Sequence, residues 1–143
     1  MSLLDQFAKR AADRLPSVVG ATAHSVADYT AAAVFILFGL TAWRKNGRVA
    51  ISSFACALFL ALTSAVTDYP GGLTRKLPFT THGRMDIGLG ALVAALPAFM
   101  GFEKLPESRF FRLQAVAIAT MAGLTDFLGT GQNRQLRHLD RAA

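Results

Sequence analysis

The sequence predicts an all-α integral membrane protein: a four-transmembrane-helix bundle made from two tandem, parallel helix-hairpin repeats, with an amphipathic interfacial helix in front of it. Three observations carry this. Hydrophobic residues make up 52% of the chain and charged residues only 17%, against about 25% charged in ordinary soluble domains. The charges sit in the gaps between four apolar runs, each near the roughly 20 residues that cross a bilayer as a helix. And a gapless shift of 58 residues lays the ionisable residues of one half on those of the other.

The 143 residues leave room for one membrane domain, 1–143, divided into an N-terminal helix over 1–16, a first repeat over 22–79 and a second over 80–137. Leu3, Phe7, Ala11 and Leu15 recur every four residues, with Asp5, Lys9, Arg10, Asp13 and Arg14 between them. That pattern predicts an amphipathic helix ending near Pro16, lying on the membrane surface or on the end of the bundle. Its charges also break the continuous apolar core that a signal peptide needs.

The first span is predicted from about His24 to Trp43, an interfacial aromatic followed by the basic cluster Arg44, Lys45 and Arg48. The second runs from about Val49 to Tyr69 and stops at the turn signal Pro70-Gly71-Gly72. The third covers about His82 to Phe102, with Pro97 as a kink near its end. In it Gly88, Gly90, Ala91, Ala94 and Ala95 would permit close helix approach. The fourth runs from about Phe110 to Leu128, before a polar tail.

The formal charge is +6, but no stretch interleaves bases with aromatics, so nucleic acid is not an expected partner. With four spans, the N-terminus, the 70–81 loop and the C-terminus share one side. Lys9, Arg10, Arg14, Arg75, Lys76, Arg84, Arg134, Arg137 and Arg141 lie there, nine basic residues against six (Arg44, Lys45, Arg48, Lys104, Arg109 and Arg112) on the other. The positive-inside rule then puts both termini in the cytoplasm, in a multi-pass protein of the cell inner membrane. The single cysteine, Cys56, lies in an apolar run and reads as a small packing residue.

The shift of 58 puts His24 on His82, Asp28 on Asp86, Asp68 on Asp126, Thr22 on Thr80, Thr67 on Thr125, Gly71 on Gly129 and Tyr69 on Phe127. Few other positions agree, so the halves share little beyond ionisable and turn residues. Two hairpins in the same orientation imply a pseudo-two-fold axis along the membrane normal. His24 and Asp28 open span one, Asp68 closes span two, His82 and Asp86 open span three and Asp126 closes span four. All six therefore arrive at the predicted cytoplasmic face. Each His and Asp four apart share one helix face, and the axis would bring the two faces together.

Several carboxylates in a low-dielectric setting need a cation. Imidazole with carboxylate suits a divalent transition metal, zinc or iron foremost, as one or two ions. His24, Asp28, His82 and Asp86 are the expected ligands; Asp68 and Asp126 would orient the histidines or complete a dinuclear centre. The paired His-x-x-x-Asp motifs at 24–28 and 82–86 resemble the transport site of the cation diffusion facilitators, which implies a zinc site of two His and two Asp. That likeness is one of ligand geometry, since four spans are predicted here rather than six. Bundles with inward carboxylates and histidines also resemble di-iron proteins, though their Glu-x-x-His spacing is absent from these spans. A haem between His24 and His82 would leave the four aspartates unexplained.

Three functions fit. One is a small metalloenzyme acting on a membrane-associated substrate, with Arg75, Lys76 and Arg84 holding an anionic group or lipid headgroup. Another is a transporter of divalent cations or protons, for which four short spans would need a homodimer to enclose a path. The third is a structural or sensory module in which the Asp and His residues pair with one another and with Arg75, Lys76 and Arg84, without metal.

Overall fold

The computed structural model describes residues 18–128 and is all-helical over them, with four helices and no strands. The predicted amphipathic helix over 1–16 and the tail from Gly129 lie outside the described residues. The helices are α1 (Ala21–Ala42), α2 (Gly47–Val66), α3 (Phe79–Phe99) and α4 (Ser108–Leu124). Neighbours in sequence pack most extensively, α1 against α2 and α3 against α4. That is the arrangement of two hairpins side by side.

Both hairpin turns are written in local chemistry. After α1, the Asn46 side chain accepts from the N–H groups of Arg48 (3.1 Å) and Val49 (3.4 Å), capping α2. After α3, Gly101 adopts φ +70°. The Gly101 N–H then donates to Ala98 O, and the Phe102 N–H closes back on Pro97 O at 2.8 Å. This pair of bonds satisfies carbonyls that the helix end would otherwise strand, and it seats Phe102, 1% exposed, in the core. Pro97 therefore sits in the last turn of the helix, next to its terminus.

Each helix begins two or three residues before its predicted span and ends earlier. α2 and α4 end for one cause. At Thr67 (ψ 143°) and Thr125 (ψ 133°) the backbone leaves the helix for extended geometry. Thr67 pairs in an isolated parallel bridge with Leu77, and Thr125 with Val19. The Asp68 N–H donates to Leu77 O (2.8 Å) and the Asp126 N–H to Val19 O (3.0 Å). Gly72 makes the intervening loop sterically feasible: a Cβ there would lie 1.8 Å from the Thr67 carbonyl oxygen.

The interior divides by depth. At one end, polar side chains are buried: His24, Ser25, Asp28, Ser64, Thr67, His82 and Asp86. Toward the other end the core is built on Phe35, Leu60, Leu89, Val93, Phe102 and Phe111, with only the small hydroxyls of Ser52, Ser53 and Ser108 buried there. The outside is apolar too, with Ile36, Leu37, Leu58, Leu62, Ile87, Leu92, Leu113 and Val116 exposed across all four helices. α1 and α2 are long and apolar enough to cross a membrane. α3 carries His82, Arg84 and Asp86 in its first half, and α4 has 17 residues, about 25 Å at the usual helical rise. Of Gly88, Gly90, Ala91, Ala94 and Ala95 in α3, only Gly90 is buried, with Ala115, Ile118 and Ala119 of α4 nearest it. Gly88, Ala91, Ala94 and Ala95 face outward.

Candidate metal centre

α1 and α3 each present a histidine on their first turn and an aspartate one turn later. The spacing of four stacks the two side chains on one face, and both faces turn inward. His24, Asp28, His82 and Asp86 are all at most 5% exposed. They meet across the bundle. His24 Nε2 lies 2.9 Å from Asp86 Oδ2 and 3.6 Å from Asp28 Oδ1. His82 Nε2 lies 3.0 Å from Asp28 Oδ2 and 3.2 Å from Asp86 Oδ2. One candidate ligand atom from each of the four residues falls within 4.8 Å of the others.

The other ring nitrogens are held by threonines from the ends of α2 and α4. His82 Nδ1 is 2.9 Å from Thr67 Oγ1, and His24 Nδ1 is 2.8 Å from Thr125 Oγ1. Each hydroxyl has one proton, and it is committed: Thr67 donates to Thr63 O and Thr125 to Met121 O, both at 2.6 Å. The threonines can therefore only accept from the imidazoles. Both histidines therefore carry a hydrogen on Nδ1 and turn Nε2 toward the centre, where it shares a further proton with an aspartate. Loss of that proton would leave the tautomer a metal requires.

The two aspartates have different surroundings. Asp28 Oδ2 accepts from the Ser64 hydroxyl (3.1 Å) and the Tyr69 hydroxyl (3.0 Å) as well as facing His82. Asp86 has no such pair. Its Oδ1 is buried and has no hydrogen-bond partner among the described residues. Tyr69, Phe79 and Phe127 stand against the imidazoles at the end of the bundle, Phe79 and Phe127 with centroids 5.4 and 5.3 Å from that of His24. On the flank, between α1 and α4, a cavity of about 100 Å³ reaches His24, Asp28 and Asp86.

No match was found among protein-family models, curated proteins or solved structures. The site must therefore be read from its own chemistry. Four buried groups, two imidazoles and two carboxylates, could hold a metal ion. They also hydrogen-bond one another directly, so the cluster can close without one.

Of the six expected ligands, these four converge. Asp68 is exposed. Asp126 is partly buried just beyond α4, outside the converging group. The Nδ1 atoms of His82 and His24 meet Thr67 and Thr125, the residues just before Asp68 and Asp126. Arg75, Lys76 and Arg84 are exposed. Among the described residues the recorded ion pairs join only the two His and two Asp, without these three bases. The sequence reading missed Thr67 and Thr125 as partners of the site, although their match at 58 residues was the available signal. Ser64 had none, since its counterpart is Ala122, and Tyr69 matched Phe127 only as an aromatic, without its hydroxyl.

Proposed function

We propose that this chain is a four-span membrane protein, built from two 58-residue hairpin repeats, that binds a divalent transition metal at one end of its bundle through His24, Asp28, His82 and Asp86. The observation that carries the reading is the orientation of both histidines, each held at Nδ1 by a threonine so that two Nε2 atoms and two carboxylates are aimed at one point. Zinc bonds of about 2.0 Å put the ligand atoms of a tetrahedron about 3.3 Å apart. The four N···O separations, 2.9 to 3.6 Å, bracket that value. Zinc or iron suits this donor set.

The membrane half of the proposal rests on polarity. Charged and hydroxyl side chains are inside, while large apolar side chains cover the outside of α3 and α4 as well as α1 and α2. A water-soluble bundle rarely exposes so much contiguous apolar surface. The repeat is supported by the two isolated bridges, Val19 with Thr125 and Thr67 with Leu77. A shift of 58 takes Val19 to Leu77 and Thr67 to Thr125, so the two bridges correspond. The hydrogen bonds of His24 to Thr125 and His82 to Thr67 are related in the same way.

Within this reading the protein is a small metalloenzyme acting on a membrane-associated substrate, because the cavity on the flank gives a second molecule a way to the metal. Arg75, Lys76 and Arg84 lie exposed toward the same end, where an anionic headgroup could be held. Transport through one chain is less well supported. Beyond the cluster, the described core is closed by Phe35, Val93, Phe102 and Phe111, with no file of ionisable groups.

The test is elemental analysis of detergent-purified protein beside His24→Ala/His82→Ala. About one transition-metal ion per chain, lost in the double variant, is the expected result. Wild type that stays metal-free after incubation with zinc, iron and manganese would refute the metal centre and leave a hydrogen-bonded network.

A further inference from the structure

Among the described residues, three aromatic rings stand over the imidazoles at the polar end of the bundle, and two of them correspond in the repeat. His24, Asp28, His82 and Asp86 are at most 5% exposed, so an ion coming from this end reaches them only if a cover moves. Two residues beyond each threonine that holds an imidazole comes an aromatic: Tyr69 after Thr67 and Phe127 after Thr125. Tyr69 lies 5.4 Å from His82 and Phe127 5.3 Å from His24, centroid to centroid. Each histidine thus has its own cover. Phe79, the first residue of α3, touches both, with its centroid 5.6 Å from that of Tyr69 and 4.8 Å from that of Phe127.

The two covers are held differently. The Tyr69 hydroxyl donates to Asp28 Oδ2 at 3.0 Å, and the residue is 4% exposed. Swinging that ring out breaks a hydrogen bond to a buried carboxylate, which is a bond of the stronger kind. Phe127 has no hydroxyl, is only half-buried, and makes ring contacts with His24 and Phe79. Its ring is seated on Gly83, where a Cβ would come within 2.6 Å of it, far inside ordinary contact distance. The first half carries Ser25 at the position of Gly83. Phe127 also lies past the end of α4 at Leu124, so turning its side chain disturbs no helix. The flank cavity is a poor entry for an ion, because its walls are mostly apolar, among them Ala27, Ala31, Leu60, Ala117 and Ile118. In the membrane reading that flank faces lipid, where an isolated ion is strongly disfavoured.

We propose that the Phe127 ring is the gate through which a divalent transition-metal ion enters and leaves the cluster, while Tyr69 is a cover latched shut on Asp28. When the Phe127 ring turns off Gly83, the edge of His24 is opened to the end of the bundle and the ion passes it to reach the carboxylates behind. The proposal rests on the metal reading above and says how that site is loaded. Phe127 governs the rate of exchange, and the four ligands govern the affinity.

Stopped-flow zinc exchange on the full-length protein in detergent tests it. Zinc-loaded protein is mixed with excess chromophoric chelator to follow release, and metal-free protein with zinc carried by a weak chelator to follow uptake. Phe127→Ala should accelerate uptake and release together, each about tenfold, the worth of two lost aromatic contacts. Their ratio, which is the affinity, should stay nearly that of wild type. Gly83→Ala, which keeps the ring and denies it its seat, should act in the same direction, and Phe127→Leu should fall between wild type and Phe127→Ala. Ala31→Leu, in the flank cavity, should alter neither rate. Unaltered rates in Phe127→Ala, Phe127→Leu and Gly83→Ala proteins of wild-type helicity would overturn the gate. So would faster release with unaltered uptake, since the ring would then only stabilise the bound state, and so would slowing by Ala31→Leu, which would place the route on the flank. Wild type that takes up no zinc removes the metal centre and the gate with it, whereas zinc binding at rates indifferent to Phe127 removes the gate alone.

Discussion

Replacing Thr67 by valine keeps the shape of the side chain and removes its hydroxyl, the acceptor for His82 Nδ1 at 2.9 Å. Two responses are open to the imidazole. It can keep its hydrogen on Nδ1, unsatisfied in a site where His82 is 0% exposed, at a cost of about 1–3 kcal/mol. Or it can move the hydrogen to Nε2 and lose the lone pair that faces the other ligands. Either way the metal-binding form is disfavoured, and removing such an outer partner typically lowers metal affinity about 10- to 100-fold. At about 1.4 kcal/mol per tenfold, that matches the hydrogen-bond cost. Thr125→Val should act alike through His24. The assay is a competition titration against a chromophoric zinc chelator in detergent, with helicity checked by circular dichroism. Thr67→Ser, which keeps the hydroxyl, should bind nearly as wild type. Folded Thr67→Val and Thr125→Val proteins with wild-type affinity, or a serine variant as weak as the valine one, would refute the tautomer argument.

The two aspartates should differ in stability. Asp28→Ala strands the Ser64 and Tyr69 hydroxyls as well as His82, so it should cost about 1–3 kcal/mol more than Asp86→Ala; thermal unfolding in detergent compares them, and equal losses would contradict the asymmetry. Each cross-bundle pair, His24 with Asp86 and His82 with Asp28, shares one proton at 2.9–3.0 Å in the ion-free cluster, so uptake of a divalent ion should release about two protons. A calorimetric titration repeated in buffers of different ionisation enthalpy counts them, and a release near zero would mean that these nitrogens do not bind the ion. Gly72→Ala places a methyl against the Thr67 carbonyl oxygen and should disrupt the 67–77 bridge; zinc binding should fall with it, and an unaltered Gly72→Ala protein would show that the turn does not position Thr67. For topology, single cysteines at Asn46, Thr74 and Lys104 in a Cys56→Ser background should react with an impermeant maleimide from opposite sides, Thr74→Cys on one and the other two together on the other. Reaction of all three from the same side would rule out four spans.

The helices and the four-residue cluster were legible because both follow from spacing. Apolar runs of helical length give the elements, and two histidines, each four residues from an aspartate, can only lie along one face of a helix. The 58-residue match then requires the two faces to be equivalent, and equivalent faces in a pair of hairpins meet. What spacing could not show is where the chain leaves the helix. Asp68 and Asp126 were placed at helix ends and therefore near the histidines, but the turn to extended backbone at Thr67 and Thr125 puts the threonine hydroxyl at the ring, and Asp68 is exposed. That turn depends on pairing with Leu77 and Val19, which is tertiary information. The donors to Asp28 were hidden for a different reason: the hydroxyls of Ser64 and Tyr69 belong to one half only, so the match that revealed the other residues passes over Ser64 and shows Tyr69 only as an aromatic.

That one-sidedness bears on how the two halves divide the work. A frame with two equivalent His-x-x-x-Asp faces gives two equivalent carboxylates and, by itself, no reason for chemistry to occur at one of them. The second half carries Ala122 and Phe127 where the first carries Ser64 and Tyr69. Asp28 is thereby saturated with donors and held in place, while Asp86 is left with an oxygen that nothing described here satisfies. The cavity that Asp86 lines is walled by Ala27, Ala31 and Ala117, where the other half carries Met85, Leu89 and Phe59. A buried unpartnered carboxylate oxygen is costly, and a void forfeits packing. Both features belong to the surroundings of Asp86, and each is traceable to departures from an otherwise matched pattern, which argues that stability has been given up on that side of the site. Filling the void with Ala31→Leu should accordingly raise the unfolding temperature of the protein in detergent; a filled variant that is less stable than wild type would mean that the alanines are there for helix packing instead.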